Sequence, residues 1–407
     1  MKTTIVWMTV LLIGLSNSAG FAQPSAVEYD VELATINSGY DGTTCWVHPR
    51  LGTIPGERPT VVLTMQKLLL KGSDIFYALN EMRTDDLGKT WSEPTEHKTL
   101  ARRKSEAGLV SVICDFTPKW HAASGKLLGT GHVASYEGDH LAKNYERYTA
   151  YSVYNPKERS WKLWQTVEMP DDGRFYSSGA GCTQRVDLSN GDILLPIYTR
   201  VKETTQFTTT VMRCRFDGEK LAYVEHGNEM TVDVKRGMVE PSLAQFGGRF
   251  YLTIRNDEAG YITSSDDGLH FDTPKKWTFD VGEELGSYNT QQHWVTHSQG
   301  LFLVYTRRGA DNDHVFRHRA PLFMAQVDPE KLQVIRATER VLVPERGARL
   351  GNFAVTNVNA NETWVSVAEW MQRWGPDYVI PVDNELGADN SVFIAKIKWA
   401  EPNETAE

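Results

Sequence analysis

Histidines are the side chains of this chain best suited to moving protons, because an unperturbed imidazole changes charge near neutral pH. His48 falls on the first inner strand of the repeat described below, and His132 and His140 flank a loop of the second unit. His293, His297, His314 and His318 cluster further on. His293 and His297, four apart on a strand-like run, share a face. His314 and His318 accompany Asp311 and Asp313, a spacing that matches no established metal template, so no metal or other cofactor is expected. Trp46, Trp294, Trp370 and Trp374 offer flat faces on which a sugar can stack. The alternative for each of these residues is a place between packed sheets. Cys45, Cys114 and Cys182 recur 69 and 68 residues apart, and with Cys214 they form no CxxC-type pair. That spacing reads as equivalent positions in a repeat, filled by small buried residues.

A repeat must position these groups. Thr84-Asp85-Asp86-Leu87-Gly88-Lys89-Thr90-Trp91 follows the pattern S/T-x-D-x-G-x-x-W, and Ser264-Ser265-Asp266-Asp267-Gly268-Leu269-His270-Phe271 repeats it with Phe closing. Asp and Ser/Thr side chains bond turn amides, Gly permits positive φ, and the aromatic packs between sheets. A β-rich run precedes each copy, and degenerate hairpins follow at Tyr154-Asn155-Pro156-Lys157, Phe216-Asp217-Gly218 and Val327-Asp328-Pro329. No helical period persists beyond the first residues. Four-stranded units centred near 45–91, 110–161, 180–217, 238–271, 288–328 and 350–399 are expected, with a loop at 375–390 and a strand near Tyr29–Ile36 completing the last sheet.

The two motifs resemble the Asp boxes of sialidases and related propellers. The resemblance implies an all-β fold, a six-bladed β-propeller of the sialidase type. It extends to Gly179-Ala180-Gly181 with Gln184 and Asn190–Tyr198, similar to the family's third-blade signature, and to Glu240-Pro241-Ser242 with Phe250–Arg255, similar to its fourth. By that likeness Glu240 is the acidic partner and Arg255 one of the carboxylate-binding arginines. Arg317 and Arg319 fall where another is expected, Asp74 falls near the acid/base aspartate, and Asp115 resembles a hydroxyl-binding aspartate. Such a set is chemically coherent: guanidinium groups bind a carboxylate bidentately, and a carboxylic acid can protonate a leaving oxygen.

Two departures matter. The family's Arg-Ile-Pro motif is replaced by Cys45-Trp46-Val47-His48-Pro49-Arg50, which makes Arg50 a substitute ligand from a neighbouring position. The stretch expected to carry the nucleophilic tyrosine reads Gly351-Asn352-Phe353-Ala354, and Tyr288 lies one blade early. The expectation is therefore a glycoside hydrolase acting on terminal acidic sugars, with Asp74, Glu240 and His48 in catalysis, and not a standard sialidase. A lyase and a non-catalytic carbohydrate-binding propeller are the alternatives, since a fold does not convey function.

Lys2, an apolar run from Ile5 to Leu15 and Gly20-Phe21-Ala22 form the layout of a cleavable signal peptide over 1–22, leaving 23–407 as a single propeller domain outside the cytoplasm. The run is too short to span a membrane, for which roughly 20 apolar residues are needed. A net charge of −9 without a basic cluster argues against nucleic acid and anionic membrane surfaces as partners, and the resemblance implies a glycan substrate. An anionic substrate remains compatible with it, because a pocket can be locally basic.

Overall fold

The two Asp boxes form the turns that their side chains predict. Thr84 Oγ1 accepts from the Gly88 amide at 2.9 Å and Asp86 Oδ1 from the Thr90 amide at 3.0 Å. In the second copy Ser265 Oγ accepts from the Gly268 amide at 2.9 Å and Asp267 Oδ1 from the His270 amide at 2.7 Å. Gly88 and Gly268 hold φ of 73° and 76°, a conformation that favours glycine. Asp86 and Asp267 are thus engaged by backbone amides and hold the turns, whereas Asp85 and Asp266 accept from the guanidinium groups of Arg83 and Arg249.

The computed structural model describes residues 26–104, 108–143, 146–373 and 385–405. The leader expected at 1–22 lies outside them, as do Trp374 and most of the loop 375–390. The described strands pair antiparallel into six sheets. The first spans Thr44–Ile54 to Thr95–Glu96, the second Arg103–Lys104 to Gln165–Thr166, and the third Ser177–Gly179 to Leu221–His226. The fourth spans Val239–Phe246 to Lys275–Lys276, and the fifth His293–His297 to Arg340–Val343. In the last, Tyr29–Ser38 pairs with Ser391–Trp399, which continues to Glu362–Trp370 and Arg349–Asn359.

This arrangement corrects the expectation of a six-bladed β-propeller of the sialidase type built from like, four-stranded blades. Only three sheets have four strands, while two have five and one has seven. Five are each cut from one continuous stretch of chain, whereas the closing sheet joins its two ends. The extra strands are two- to four-residue pieces, such as His140–Leu141 and Arg340–Val343, that pair with longer neighbours and cover part of their ladders. Apolar clusters lie between consecutive sheets: Phe302 and Met324 meet Val365 and Phe393, and Leu51 and Leu63 meet Trp364 and Ile394, closing the ring. The inner strands Thr44–Ile54, Val110–His121, Val239–Phe246, His293–His297 and Arg349–Asn359 pack around the centre.

Glu369, buried on the strand Glu362–Trp370 of the closing sheet, holds the start of the neighbouring strand Ser391–Trp399. Its Oε2 accepts from the amides of Asp389 (2.9 Å) and Ser391 (3.0 Å), and Arg346 Nε lies 3.3 Å from Oε1. Burial outweighs these contacts and pushes its carboxyl up to about 7. A raised folded-state value means that the folded chain binds a proton the unfolded chain releases. The resulting stability is fully present below the ordinary glutamate value and is lost as pH rises through about 7. Glu369→Gln should flatten the fall in melting temperature across that window, an effect on the order of 2–3 kcal/mol. Thermal denaturation of both proteins at a series of pH values checks it; parallel curves would remove Glu369 as the cause.

Candidate active site

The inner strands of four sheets carry the same bulge, two residues opposite one. It falls at His48-Pro49, Asp115-Phe116, Glu240-Pro241 and Asn352-Phe353. In each the first residue is left-handed, with φ of 55°, 50°, 48° and 57°. That conformation is unfavourable for a residue with a side chain and persists where the surrounding packing imposes it. The bulge re-aims a side chain that strict alternation would leave between sheets. Cys182 (φ 59°) and Asn289 (φ 55°) hold the same conformation at the inner edges of the third and fifth sheets. Each sheet therefore presents one left-handed residue near the centre. The equivalent residues are His48, Asp115 and Cys182, 67 apart, and this corrects the register read from the cysteines. Cys45 and Cys114 lie on inner strands before their bulges, whereas Cys182 stands at the left-handed position itself, beyond Ser177–Gly179.

Asp115 is the hub of this ring. Its Oδ1 accepts from Arg50 Nη2 at 3.2 Å, from the Cys182 thiol at 2.9 Å and from Asn352 Nδ2 at 3.4 Å. His48 Nδ1 lies 3.1 Å from the same oxygen, and Asn352 also donates to His48 Nε2. Burial alone would raise the Asp115 carboxyl; the adjacent His48 and His132 rings, the Arg50 guanidinium and the Cys182 thiol outweigh it and hold the group well below the carboxylate range. Burial lowers His48 despite the adjacent carboxylate, keeping a neutral imidazole. Arg50 is fully buried: Nη1 donates to the Phe353 carbonyl at 2.9 Å, and Nη2 reaches Cys182 Sγ at 3.0 Å.

Above this floor opens a cavity of about 300 Å³. Asp74, Asp115 and Glu240 line it together with Arg147, Arg236, Arg255, Arg317, Arg319 and Arg349, so six guanidinium groups face three carboxylates in a chain of net charge −9. Arg255 is well compensated, donating to Glu240 through Nη1 and, through Nη2, to Asp257 (3.2 Å) and Asn289 Oδ1 (2.8 Å). Arg319 and Arg349 differ. Each is buried with an Nε that lacks a hydrogen-bond partner, as Arg255 does, but unlike Arg255 neither forms a salt bridge with a described residue. Arg319 donates to the Asn289 carbonyl; Arg349 reaches Gln372 at 3.3 Å and stacks 4.0 Å over Trp370. Burial and the neighbouring Arg255, Arg317 and Arg349 push Arg319 well below the guanidinium range, and burial with Arg317 lowers Arg349 to about 9. Since arginine stays charged in proteins, these shifts register cation that the fold leaves unsatisfied. An anion in the cavity would satisfy it.

The fold brings Asp74, Asp115, Glu240, Arg255, Arg317 and Arg319 to one cavity. His48 and Arg50 touch Asp115 from beneath and do not line it. Sequence reasoning missed Arg147, Arg236 and Arg349 and gave Tyr198 no role. Arg349 opens the strand whose bulge holds Asn352, a signal visible only once the strand is in register. His293 lies buried against Ser242 Oγ (2.8 Å), and His314 and His318 pair with separate carboxylates, Glu345 and Asp313, at 3.2 Å each. Donor atoms of Cys114, Asp115 and His132 lie within 4.8 Å of one another. Asp115 is taken up by Arg50, and burial raises the Cys114 thiol, so this set suits a proton network better than a cation.

No family model and no curated protein matches the chain. Solved structures do. A Dyadobacter fermentans protein of unknown function superposes with a TM-score of 0.60 at 14% identity, over 91% of this chain and 99% of that one. Trypanosoma rangeli sialidase gives 0.58 at 14% identity over 87% of this chain, which spans 55% of it. A mutant of NanB sialidase from Streptococcus pneumoniae gives 0.60 at 12% identity over 93% of this chain and 71% of that one. Likeness at such identities concerns the fold, and the sheets of this chain form a curled, propeller-like arrangement similar to that of these structures.

Proposed function

We propose that this protein is an exported enzyme that binds the carboxylate of a terminal sugar acid on a glycan and breaks its glycosidic bond. The observation that carries the reading is the pair Arg319 and Arg349, buried at the cavity and forming no salt bridge with a described residue. A likeness to sialidases, whose name implies sugar acids, agrees with it. Asp74, partly exposed and held by Ser73 Oγ at 2.8 Å, is the candidate proton donor to the leaving oxygen. Glu240 is occupied by Arg255, and Asn352 stands where a nucleophilic tyrosine would be sought, so a standard sialidase mechanism has no support. Export rests on the residues 1–22.

Purified protein should be incubated with glycans ending in sialate or uronate, and products followed by reducing ends and ultraviolet absorbance. Cleavage of at least one is expected, and Asp74→Asn should lower turnover about 10²–10⁴-fold with binding retained. Binding without cleavage across the panel would make the protein a carbohydrate-binding propeller instead; neither binding nor cleavage would sink the sugar-acid reading.

A further inference from the structure

Tyr198 lines the cavity and is the one tyrosine there held by groups that can move its proton. It lies on Asp192–Arg200, and its hydroxyl meets His132 Nδ1 at 3.1 Å while accepting from Arg147 Nη1 at 2.9 Å. His132 Nε2 lies 3.7 Å from Asp115 Oδ2. Carboxylate, imidazole and hydroxyl in this order form the arrangement in which a carboxylate orients the ring and the ring accepts the hydroxyl proton. Burial and Arg147 keep His132 neutral, so Nδ1 can accept from the phenol while Nε2–H faces Asp115; burial raises the Tyr198 hydroxyl, and the Arg147 guanidinium acts against that rise. Arg147 stands ready to stabilise the phenolate.

The chain makes room for this set deliberately. A Cβ at Gly181 would run into His132 Nδ1, and one at Gly179 would lie 2.8 Å from His132 Cβ and 3.0 Å from Arg147 Cδ. Gly179-Ala180-Gly181 is thus a motif that seats the imidazole and the guanidinium. Neither glycine is needed for a left-handed turn.

We propose that Tyr198 is the catalytic base of this cavity and that the bond is broken by β-elimination from a uronate; this rests on the carboxylate-binding reading above. Arg319 and Arg349 neutralise the carboxylate, which acidifies the hydrogen on the carbon bearing it. Tyr198 passes its proton to His132, and the phenolate removes that hydrogen. The carbon–hydrogen electron pair forms a double bond to the neighbouring ring carbon, whose bond to the glycosidic oxygen breaks. The departing oxygen takes the proton from Tyr198, which in elimination stands in for Asp74 as the donor, and His132 returns its own to the phenolate. No water or other co-reactant is consumed. His132, Arg147 and Asp115 are positioning residues in this scheme.

The test uses the full chain and oligosaccharides in which a uronate carries the next sugar on the oxygen of its ring carbon 4, the bond that elimination breaks. Expected are products with the absorbance of an unsaturated uronate, and a slower reaction when the abstracted hydrogen is replaced by deuterium. Tyr198→Phe should lower kcat about 10²–10⁴-fold with the Kd for a saturated uronate unchanged, which also shows that the variant is folded. Gly181→Ala, by displacing His132, should lower kcat while leaving KM in place. New reducing ends without unsaturation would overturn the elimination while leaving the carboxylate site standing, as would wild-type turnover by Tyr198→Phe. Failure to bind any sugar acid would remove the site itself.

Discussion

Arg50→Met should destabilise the fold by about 3–5 kcal/mol, the cost of leaving a buried charge without its partner. Arg50 is fully buried, and its guanidinium joins the first sheet to Asp115 in the second, Cys182 beside the third and the Phe353 carbonyl in the closing sheet. Methionine fills much of the volume, so the loss comes from charge and hydrogen bonds more than from a cavity. The sign with pH follows from Asp115, whose folded-state carboxyl is depressed by His48, His132 and Arg50 acting against burial. Its contribution is present above the ordinary aspartate value and is lost as pH falls through the lower folded value. Without Arg50 that folded value moves up, so the variant should lose stability at a higher pH than the parent. Urea midpoints from acid to neutral pH measure both effects. Asp115→Asn combined with Arg50→Met should recover part of the loss, because the uncompensated charge is gone. A midpoint for Arg50→Met equal to the parent's would dismiss Arg50 as the hub of the ring.

Arg319→Ala and Arg349→Ala should act in the opposite sense on stability and strongly on binding. Each removes a charge-assisted bond to a bound carboxylate, worth roughly 1.5–3 kcal/mol or about one to two decades in Kd. Each also relieves repulsion among Arg255, Arg317, Arg319 and Arg349 in the empty cavity, which burial intensifies. The variants should therefore bind sugar acids weakly yet unfold no earlier than the parent, offset by whatever packing the long side chains supply. Calorimetric titration with a uronate and with sialate, beside denaturant unfolding, reads both quantities. A variant that binds as tightly as the parent takes its arginine out of the clamp.

Local chemistry was legible in the sequence. The Asp boxes hold their turns through contacts two to four residues long, such as Ser265 with Asp267 and Asp86 with Thr90, so their pattern alone predicts a hairpin. The alternation of apolar runs and turns likewise predicts strands, and the motifs around Glu240 and Arg255 lie on two paired strands joined by a short turn. Pairings that close the ring were not legible. Asp115 meets Asn352 across 237 positions, and Arg50 meets Phe353 across 303. Such contacts exist only once every sheet has packed on its neighbours. Bulge register is also a property of the ladder: whether His48 or Arg50 points into the cavity depends on which residue is left unpaired, and the extra residue at His48-Pro49 sends Arg50 beneath the floor. Arg349, with no motif of its own, reaches the cavity because the closing sheet carries it there. Residue types and short-range turns were determined by the sequence itself, since neighbours along the chain supply their partners. Which arginines remain without a counter-charge was decided by the tertiary structure alone, because a salt bridge is a distance in space.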